Sequence, residues 1–386
     1  MAQNPGVERE ERSANVVAFV SVGRGLGGPS RSLLTLLQHL QGEIVRVVLA
    51  PNGPLTDLFI HSDAADEFVR LPNWRRWSRL SRLLAGIRIC LWIIRNRNRV
   101  RAFHANGYAA LNLVAPSAFL FGIPVVTWAH ASEASPSATL LGRLWKRLLP
   151  QLRWAVVSSE AHQVLVGAHL VTRNSQVSVI PNPIDPASVV SRQTVPHDRL
   201  TIGYLKGKGT SSGFHLLADA IKGLSDLSVR WLIFTNPPDQ TASDDQKRRW
   251  AELGAISGTD VELRGTIPDV THAYAECDIV FCPSFQESFG RVAAEAMLNG
   301  IPVVASDIPA LRRLLGDDQA GLLFPVGEVD HAIQQLRRLV ENGDLRQALG
   351  EEGRKRAEAF APKAIKEQLL ALYGFRKTCS VATSLE

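Results

Sequence analysis

Residues 278–297 run Asp278-Ile279-Val280-Phe281-Cys282-Pro283-Ser284-Phe285-Gln286-Glu287-Ser288-Phe289-Gly290-Arg291-Val292-Ala293-Ala294-Glu295-Ala296-Met297. Ile279 to Phe281 is apolar at every position, as a strand covered by helices on both faces requires. A polar loop follows, and Gly290 leads into an alanine-rich helix. Strand, loop and helix in that order are the repeating unit of an α/β domain. The loop puts the amides of Ser288, Phe289 and Gly290 where a diphosphate could meet a helix N-terminus. Glu287 stands before that helix and Glu295 on it. As direct phosphate ligands two carboxylates would repel the anion, so they are expected to accept hydrogen bonds from sugar hydroxyls on either side of it.

The same alternation extends to both ends of the chain. On the N-terminal side Asn15–Val22, Ile44–Ala50, Glu67–Leu71, Val100–His104, Val125–Ala129, Trp154–Val157 and Val177–Ile180 are expected strands. Pro181-Asn182-Pro183-Ile184-Asp185 and the polar stretch to Arg199, broken by Pro186 and Pro196, mark a boundary. Beyond it Leu200–Tyr204, Val229–Thr235, Val261–Arg264, Pro302–Ser306 and Leu322–Phe324 join Ile279–Phe281 as strands. With 386 residues, 45% of them hydrophobic, the chain is long enough for two cores. The expected domains are 14–185 and 200–360, with 361–386 holding a last helix that packs back toward the first domain, and a tail.

The Glu287 to Glu295 stretch resembles the family-4 retaining glycosyltransferases, in which one glutamate, inside a loop of the form Pro-Ser-x-x-Glu-x-Phe-Gly, is followed after seven residues by another. Asn299-Gly300-Ile301-Pro302-Val303-Val304-Ala305-Ser306-Asp307 and Ala320-Gly321-Leu322-Leu323 are similar to further landmarks of that family. The resemblance covers most of the chain and implies a GT-B fold, two Rossmann-like domains facing each other across a cleft. It implies transfer of a hexosyl unit from a UDP- or GDP-sugar to an acceptor hydroxyl, with retention and without a metal or other cofactor. By it, Glu287 holds the transferred sugar, Glu295 the ribose, and Ser288, Phe289 and Gly290 the diphosphate. In the first domain it assigns Gly27 and Gly28 to the transferred sugar. His130, closing Gly122-Ile123-Pro124-Val125-Val126-Thr127-Trp128-Ala129-His130, it places near the reaction centre. His104 and Asn106, at another strand's C-terminal end, are acceptor-side candidates.

Two departures accompany the resemblance. Pro183 stands where the family's Pro-Asn-Gly turn has glycine, which excludes positive φ there. In Gly203-Tyr204-Leu205-Lys206-Gly207-Lys208-Gly209-Thr210-Ser211-Ser212-Gly213, Tyr204 and Ser212 occupy the places of the family's arginine and lysine. A leaving diphosphate needs cations and amides around it. Lys206 or Lys208 is expected to take that role, with Arg291 in reserve.

Other readings are weaker. Gly23, Gly25 and Gly28 match GxGxxG between a strand and a helix, yet the second strand ends Val48-Leu49-Ala50-Pro51 with no acid for a dinucleotide's ribose, and Glu43 sits at its wrong end. Cys90, Cys277, Cys282 and Cys379 form no metal or disulfide spacing. The polar start of the chain and the interrupted apolar run Leu111–Val126 predict a cytoplasmic protein without a membrane span. Trp74 to Arg101 holds nine arginines and no acid, with Trp74, Trp77, Leu80, Leu84, Ile87, Leu91 and Ile94 at helical spacing. That segment fits a helix packed on its own domain, a peripheral contact with an anionic membrane, or a phosphate-bearing or lipid-linked acceptor. Nucleic acid is disfavoured, since it leaves the two glutamates unused. A nucleotide-sugar epimerase or hydrolase, or a non-catalytic binding protein, remains an alternative on the same fold.

Overall fold

The computed structural model describes residues 15–22, 27–72, 79–130, 136–171, 175–186, 189, 199–207, 210–238, 240, 242–256, 260–265 and 271–375. Gly23, Gly25, Trp74, Arg75, Arg76, Trp77 and Lys208 lie outside these residues. The chain divides into two compact units, one of residues up to Pro183 with those from Pro362 onward, the other Ile184–Ala361.

The first unit is built on a parallel sheet. Its described strands are β1 (Val16–Val20), β2 (Val45–Pro51), β3 (Glu67–Leu71), β4 (Val100–Asn106), β5 (Val125–Ala129), β6 (Leu152–Val156) and β7 (Val177–Val179), in the order β3-β2-β1-β4-β5-β6-β7. Every pairing is parallel. All five residues of β1 are buried, as its uninterrupted Val-Val-Ala-Phe-Val demands of a strand covered on both faces. The helix Tyr108–Phe121 contains Pro116 on its exposed side, where the carbonyl deprived of a partner can be hydrated. The helix Pro362–Tyr373 belongs to this unit. Lys366 Nζ donates to Glu43 at 2.8 Å, Arg153 donates to the Leu372 carbonyl, and Tyr373 meets His104.

The second unit repeats the plan. Its described strands are β8 (Leu200–Tyr204), β9 (Val229–Ile233), β10 (Val261–Leu263), β11 (Ile279–Cys282), β12 (Val303–Ser306) and β13 (Gly321–Phe324), parallel throughout in the order β10-β9-β8-β11-β12-β13. Trp231, Phe281 and Phe324 fill its core. In each sheet the chain leaves the first strand of the unit toward one edge and returns to its other side, at β1/β4 and at β8/β11. The loops beyond the C-terminal ends of such strands diverge, and ligands of α/β sheets bind in the crevice that results.

One helix departs from its sequence pattern. In Arg79–Asn96 the residues turned into the core are Ala85, Ile89 and Ile93, while Leu80, Leu83, Leu84, Ile87, Leu91 and Ile94 are 46–63% exposed. At 100° per residue these six form a stripe opposite the core face. Among the described residues no helix is long and apolar enough to cross a membrane.

Candidate functional site

At the β8/β11 switch point two loops are stitched together. Gly213, at φ +72°, has no room for a side chain: a Cβ there would lie 1.7 Å from the Pro283 carbonyl oxygen. The segment before it therefore lies directly against the end of β11, and the Phe285 amide donates to the Ser211 carbonyl at 2.8 Å. Tyr204 is fully buried, and its hydroxyl lies 2.7 Å from the Gly207 carbonyl and 3.2 Å from that of Ser212. Where the resemblance implies an arginine, this chain has a phenol that braces the loop.

Glu287 lies in that bracing. Lys206 Nζ donates to Glu287 Oε1, and Ser284 Oγ donates to the same oxygen at 3.1 Å. The Lys206 side chain is 7% exposed and that of Glu287 23%. Burial pulls the Lys206 ammonium down, but the Glu287 carboxylate outweighs it and holds the lysine above its ordinary value. Beside them, burial pushes the Cys282 thiol up to about 12, so it stays protonated at neutral pH.

Gly290 begins the helix Arg291–Leu298 in the left-handed region, at φ +90°, and a Cβ there would meet Leu311 at 2.7 Å. Only glycine serves at this corner. It turns the chain so that residues 288–290 precede a helix whose Ala293, Ala294, Ala296 and Met297 are fully buried. Glu295, on that helix, is also enclosed. Its Oε1 accepts from Arg291 Nε at 2.6 Å and its Oε2 from the Tyr274 hydroxyl at 2.9 Å. Burial, reinforced by the Glu295 charge, raises the Tyr274 phenol well above its ordinary value and keeps it a donor.

The first unit has an edge of its own at β1/β4. Gly27 caps the helix Gly28–His39, and the Pro29 carbonyl in its first turn accepts from Asn106 Nδ2 at 3.5 Å. Asn106 Oδ1 lies 2.8 Å from His130 Nε2, and the His130 ring sits 4.7 Å from that of Trp128. His104 is placed differently: it is fully buried, with Nδ1 2.6 Å from the Tyr373 hydroxyl. Burial, then the nearby His130, lowers its pKa to about 3. It ties β4 to the helix Pro362–Tyr373, while Asn106 and His130 stand at the edge. Among the described residues no group of three or more His, Cys, Asp or Glu is placed to hold a metal ion.

Residues 26–188 match the family described as Glycosyltransferase Family 4, and residues 192–356 match Glycosyl transferases group 1. The chain belongs to the GT-B glycosyltransferases. Among curated relatives it is 33% identical over 153 residues to D-inositol 3-phosphate glycosyltransferase of Corynebacterium glutamicum, covering 38% of this chain and 36% of that one. Over 132 residues it is 33% identical to phosphatidyl-myo-inositol mannosyltransferase of Mycolicibacterium smegmatis, covering 33% and 34%. The chain thus spans about a third of the length of these relatives. The crystal structure of Anabaena HepE in complex with UDP and glucose superposes with a TM-score of 0.79 at 19% identity, covering 93% of this chain and 99% of that one.

Within this GT-B chain, the structure brings Lys206 to Glu287 and Arg291 to Glu295, so the two described cations expected at the diphosphate are each engaged by one of the two glutamates. Lys208 lies outside the described residues. Tyr274 and Ser284 are the further donors to the two glutamates, with no role assigned to them from the sequence. Ser284 belongs to the Pro-Ser-x-x-Glu string and could have been found there; Tyr274, in the short helix Thr271–Ala275, carries no local signal.

Proposed function

We propose that this GT-B chain transfers a hexosyl unit from a UDP- or GDP-sugar to an acceptor hydroxyl, with retention of configuration and without a metal. The observation that carries the reading is the pair of carboxylates flanking one helix start at the β8/β11 switch point, each fixed by its own donors. Glu287 takes hydrogen bonds from the hexose hydroxyls and Glu295 from the ribose. The amides of Ser288, Phe289 and Gly290 meet the diphosphate, with Arg291 and Lys208 adding positive charge. At the first unit's edge Gly27 and Gly28 serve the transferred sugar, His130 stands near the reaction centre, and Asn106 serves the acceptor.

In the reaction the bond from the anomeric carbon to the leaving phosphate oxygen breaks through an oxocarbenium-like state. The acceptor oxygen bonds to that carbon on the same face, and its proton passes to the departing phosphate oxygen. Donors preorganised around the diphosphate stabilise the charge that develops there. Glu287 orients the sugar and is no nucleophile in this scheme.

We further propose a lipid-linked or phosphate-bearing acceptor, met at the cytoplasmic face of a membrane by a peripheral enzyme. Two observations support this. The exposed apolar stripe of Arg79–Asn96 lies in a stretch, residues 68–132, without a single Asp or Glu, and the two curated relatives are named for phosphorylated inositol compounds.

The test is a donor screen followed by turnover. UDP or GDP at a hundred times its Kd should stabilise the fold by about 2.7 kcal/mol. Release of nucleoside diphosphate from the matching sugar donor should depend on added phospholipid or phosphorylated polyol. Release at the same rate without acceptor favours a hydrolase, and no stabilisation by either nucleotide removes the donor assignment.

A further inference from the structure

We propose that Lys206 is a positioning residue for Glu287, clamping one carboxylate oxygen so that the other faces the sugar, and is not itself a ligand of the diphosphate. The inference rests on the transferase reading above and names a role within that site. Both hydrogen bonds to Glu287, from Lys206 Nζ and Ser284 Oγ, converge on Oε1. Oε2 has no partner among the described residues, and it is the oxygen left to accept from a hydroxyl.

The clamp is held from both sides. Lys206 lies two residues beyond Tyr204, whose hydroxyl meets the carbonyls of Gly207 and Ser212 and so pins the lysine's loop. Ser284 lies next to Phe285, whose amide bonds to Ser211 on that same loop. Lysine and serine thus come from two segments that cannot separate without breaking these bonds.

The lysine's burial points the same way. An ammonium removed from water needs a counter-charge, and removing one member of a buried pair strands the other. Lys206 finds that counter-charge in Glu287. Among the described residues the ion pair the structure gives this ammonium is with the Glu287 carboxylate, 81 residues further along. A charge-assisted bond of this kind fixes where the carboxylate points. Orientation of a group toward the reacting sugar acts on turnover more than on nucleotide affinity.

Three measurements on the whole chain test this. Calorimetry with UDP and GDP should show Lys206→Met binding the preferred nucleotide within about twofold of the unmodified protein, since an unchanged uniform-binding contribution leaves affinity in place. With the sugar donor, kcat should fall roughly ten- to hundredfold while KM changes less than about threefold, and Lys206→Arg should recover part of the loss. A thermal double-mutant cycle should show coupling, Lys206→Met with Glu287→Gln being more stable than the two single losses summed. A tenfold or greater loss of nucleotide affinity in Lys206→Met, or strict additivity in the cycle, overturns the proposal. If the unmodified chain turns over no donor, the transferase reading fails while the calorimetric and thermal arms still decide the role of Lys206.

Discussion

Tyr274 and Glu295, 21 residues apart, share a hydrogen bond of 2.9 Å in which the phenol donates to Oε2 of an enclosed carboxylate. With Arg291 on Oε1, it leaves Glu295 no freedom to turn. Glu295→Ala should therefore do more than remove a ribose contact, because it takes the carboxylate away from Arg291, whose side chain is 14% exposed, and shifts the buried Tyr274 hydroxyl to the Val292 carbonyl 3.2 Å away. Breaking such a pair costs about 3–5 kcal/mol. Glu295→Gln keeps the shape and should lose about 1–2 kcal/mol, while Tyr274→Phe should lose about 1 kcal/mol. Both milder variants should weaken binding of the preferred nucleoside diphosphate. Urea unfolding and calorimetry check the two halves, and unchanged nucleotide affinity in Glu295→Gln would remove the ribose role.

Glu287→Gln should behave in the opposite way. If its partner is the hexose, affinity for the free nucleoside diphosphate should stay near that of the unmodified protein. Transfer should fall roughly ten- to a hundredfold, the worth of one charge-assisted hydrogen bond of about 1.5–3 kcal/mol. Near-normal kcat at saturating donor would sink the assignment.

The two glutamates and their helix start were open to the sequence because they lie within one strand, loop and helix, where spacing fixes geometry. Most strand positions were too, since apolar runs such as Val16–Val20 can only be buried. What escaped depends on contacts between distant segments. Lys206 is a lysine on a glycine-rich loop until the fold encloses it, and nothing near Tyr274 marks it as the partner of Glu295. His104, at a strand's C-terminal end, suggested an acceptor contact, but the helix Pro362–Tyr373 brings Tyr373 onto it. The arginine-rich helix shows a different limit. Periodicity gives the angle between residues, yet two opposite faces of Arg79–Asn96 are apolar, and only packing reveals that small Ala85 and branched Ile89 and Ile93 meet the core.

His104 also predicts a pH dependence. An unfolded histidine titrates near 6.5, whereas burial holds this one at about 3 in the folded chain. Below pH 6.5 the unfolded state takes up a proton that the folded state refuses, so stability is full above 6.5 and is lost progressively as pH falls toward 3. From pH 7.5 to pH 5 the loss from this residue is about 2 kcal/mol. His104→Phe gives up the bond to Tyr373 and should be less stable at pH 7.5, but the gap from the unmodified protein should narrow by about that amount at pH 5. Urea titrations at the two pH values measure it, and a constant gap would show that His104 is not the group responsible.

The last prediction concerns the exposed stripe. Leu80, Leu83, Leu84, Ile87, Leu91 and Ile94 lie opposite the core face of Arg79–Asn96, so changing them leaves the packing of Ala85, Ile89 and Ile93 untouched. Arg88 and Arg95 are exposed and, at 100° per residue, flank the stripe on one side. The neighbouring helix Tyr108–Phe121 exposes Phe119 and Leu120 as well. A membrane interface with anionic headgroups suits this mixture, because leucines enter the acyl boundary while arginines remain among the phosphates. Each arginine contributes about 1 kcal/mol near an anionic surface, and each large apolar side chain that leaves water about 1.5–3 kcal/mol. The protein should therefore pellet with vesicles in proportion to their anionic phospholipid, and salt should release it in part. Arg88→Gln with Arg95→Gln should lower binding roughly tenfold or more on anionic vesicles and much less on neutral ones. Leu84→Ser with Ile87→Ser and Leu91→Ser should abolish it on both, with an unchanged or slightly higher Tm. No pelleting on strongly anionic vesicles at low salt would leave a transferase whose acceptor comes from solution.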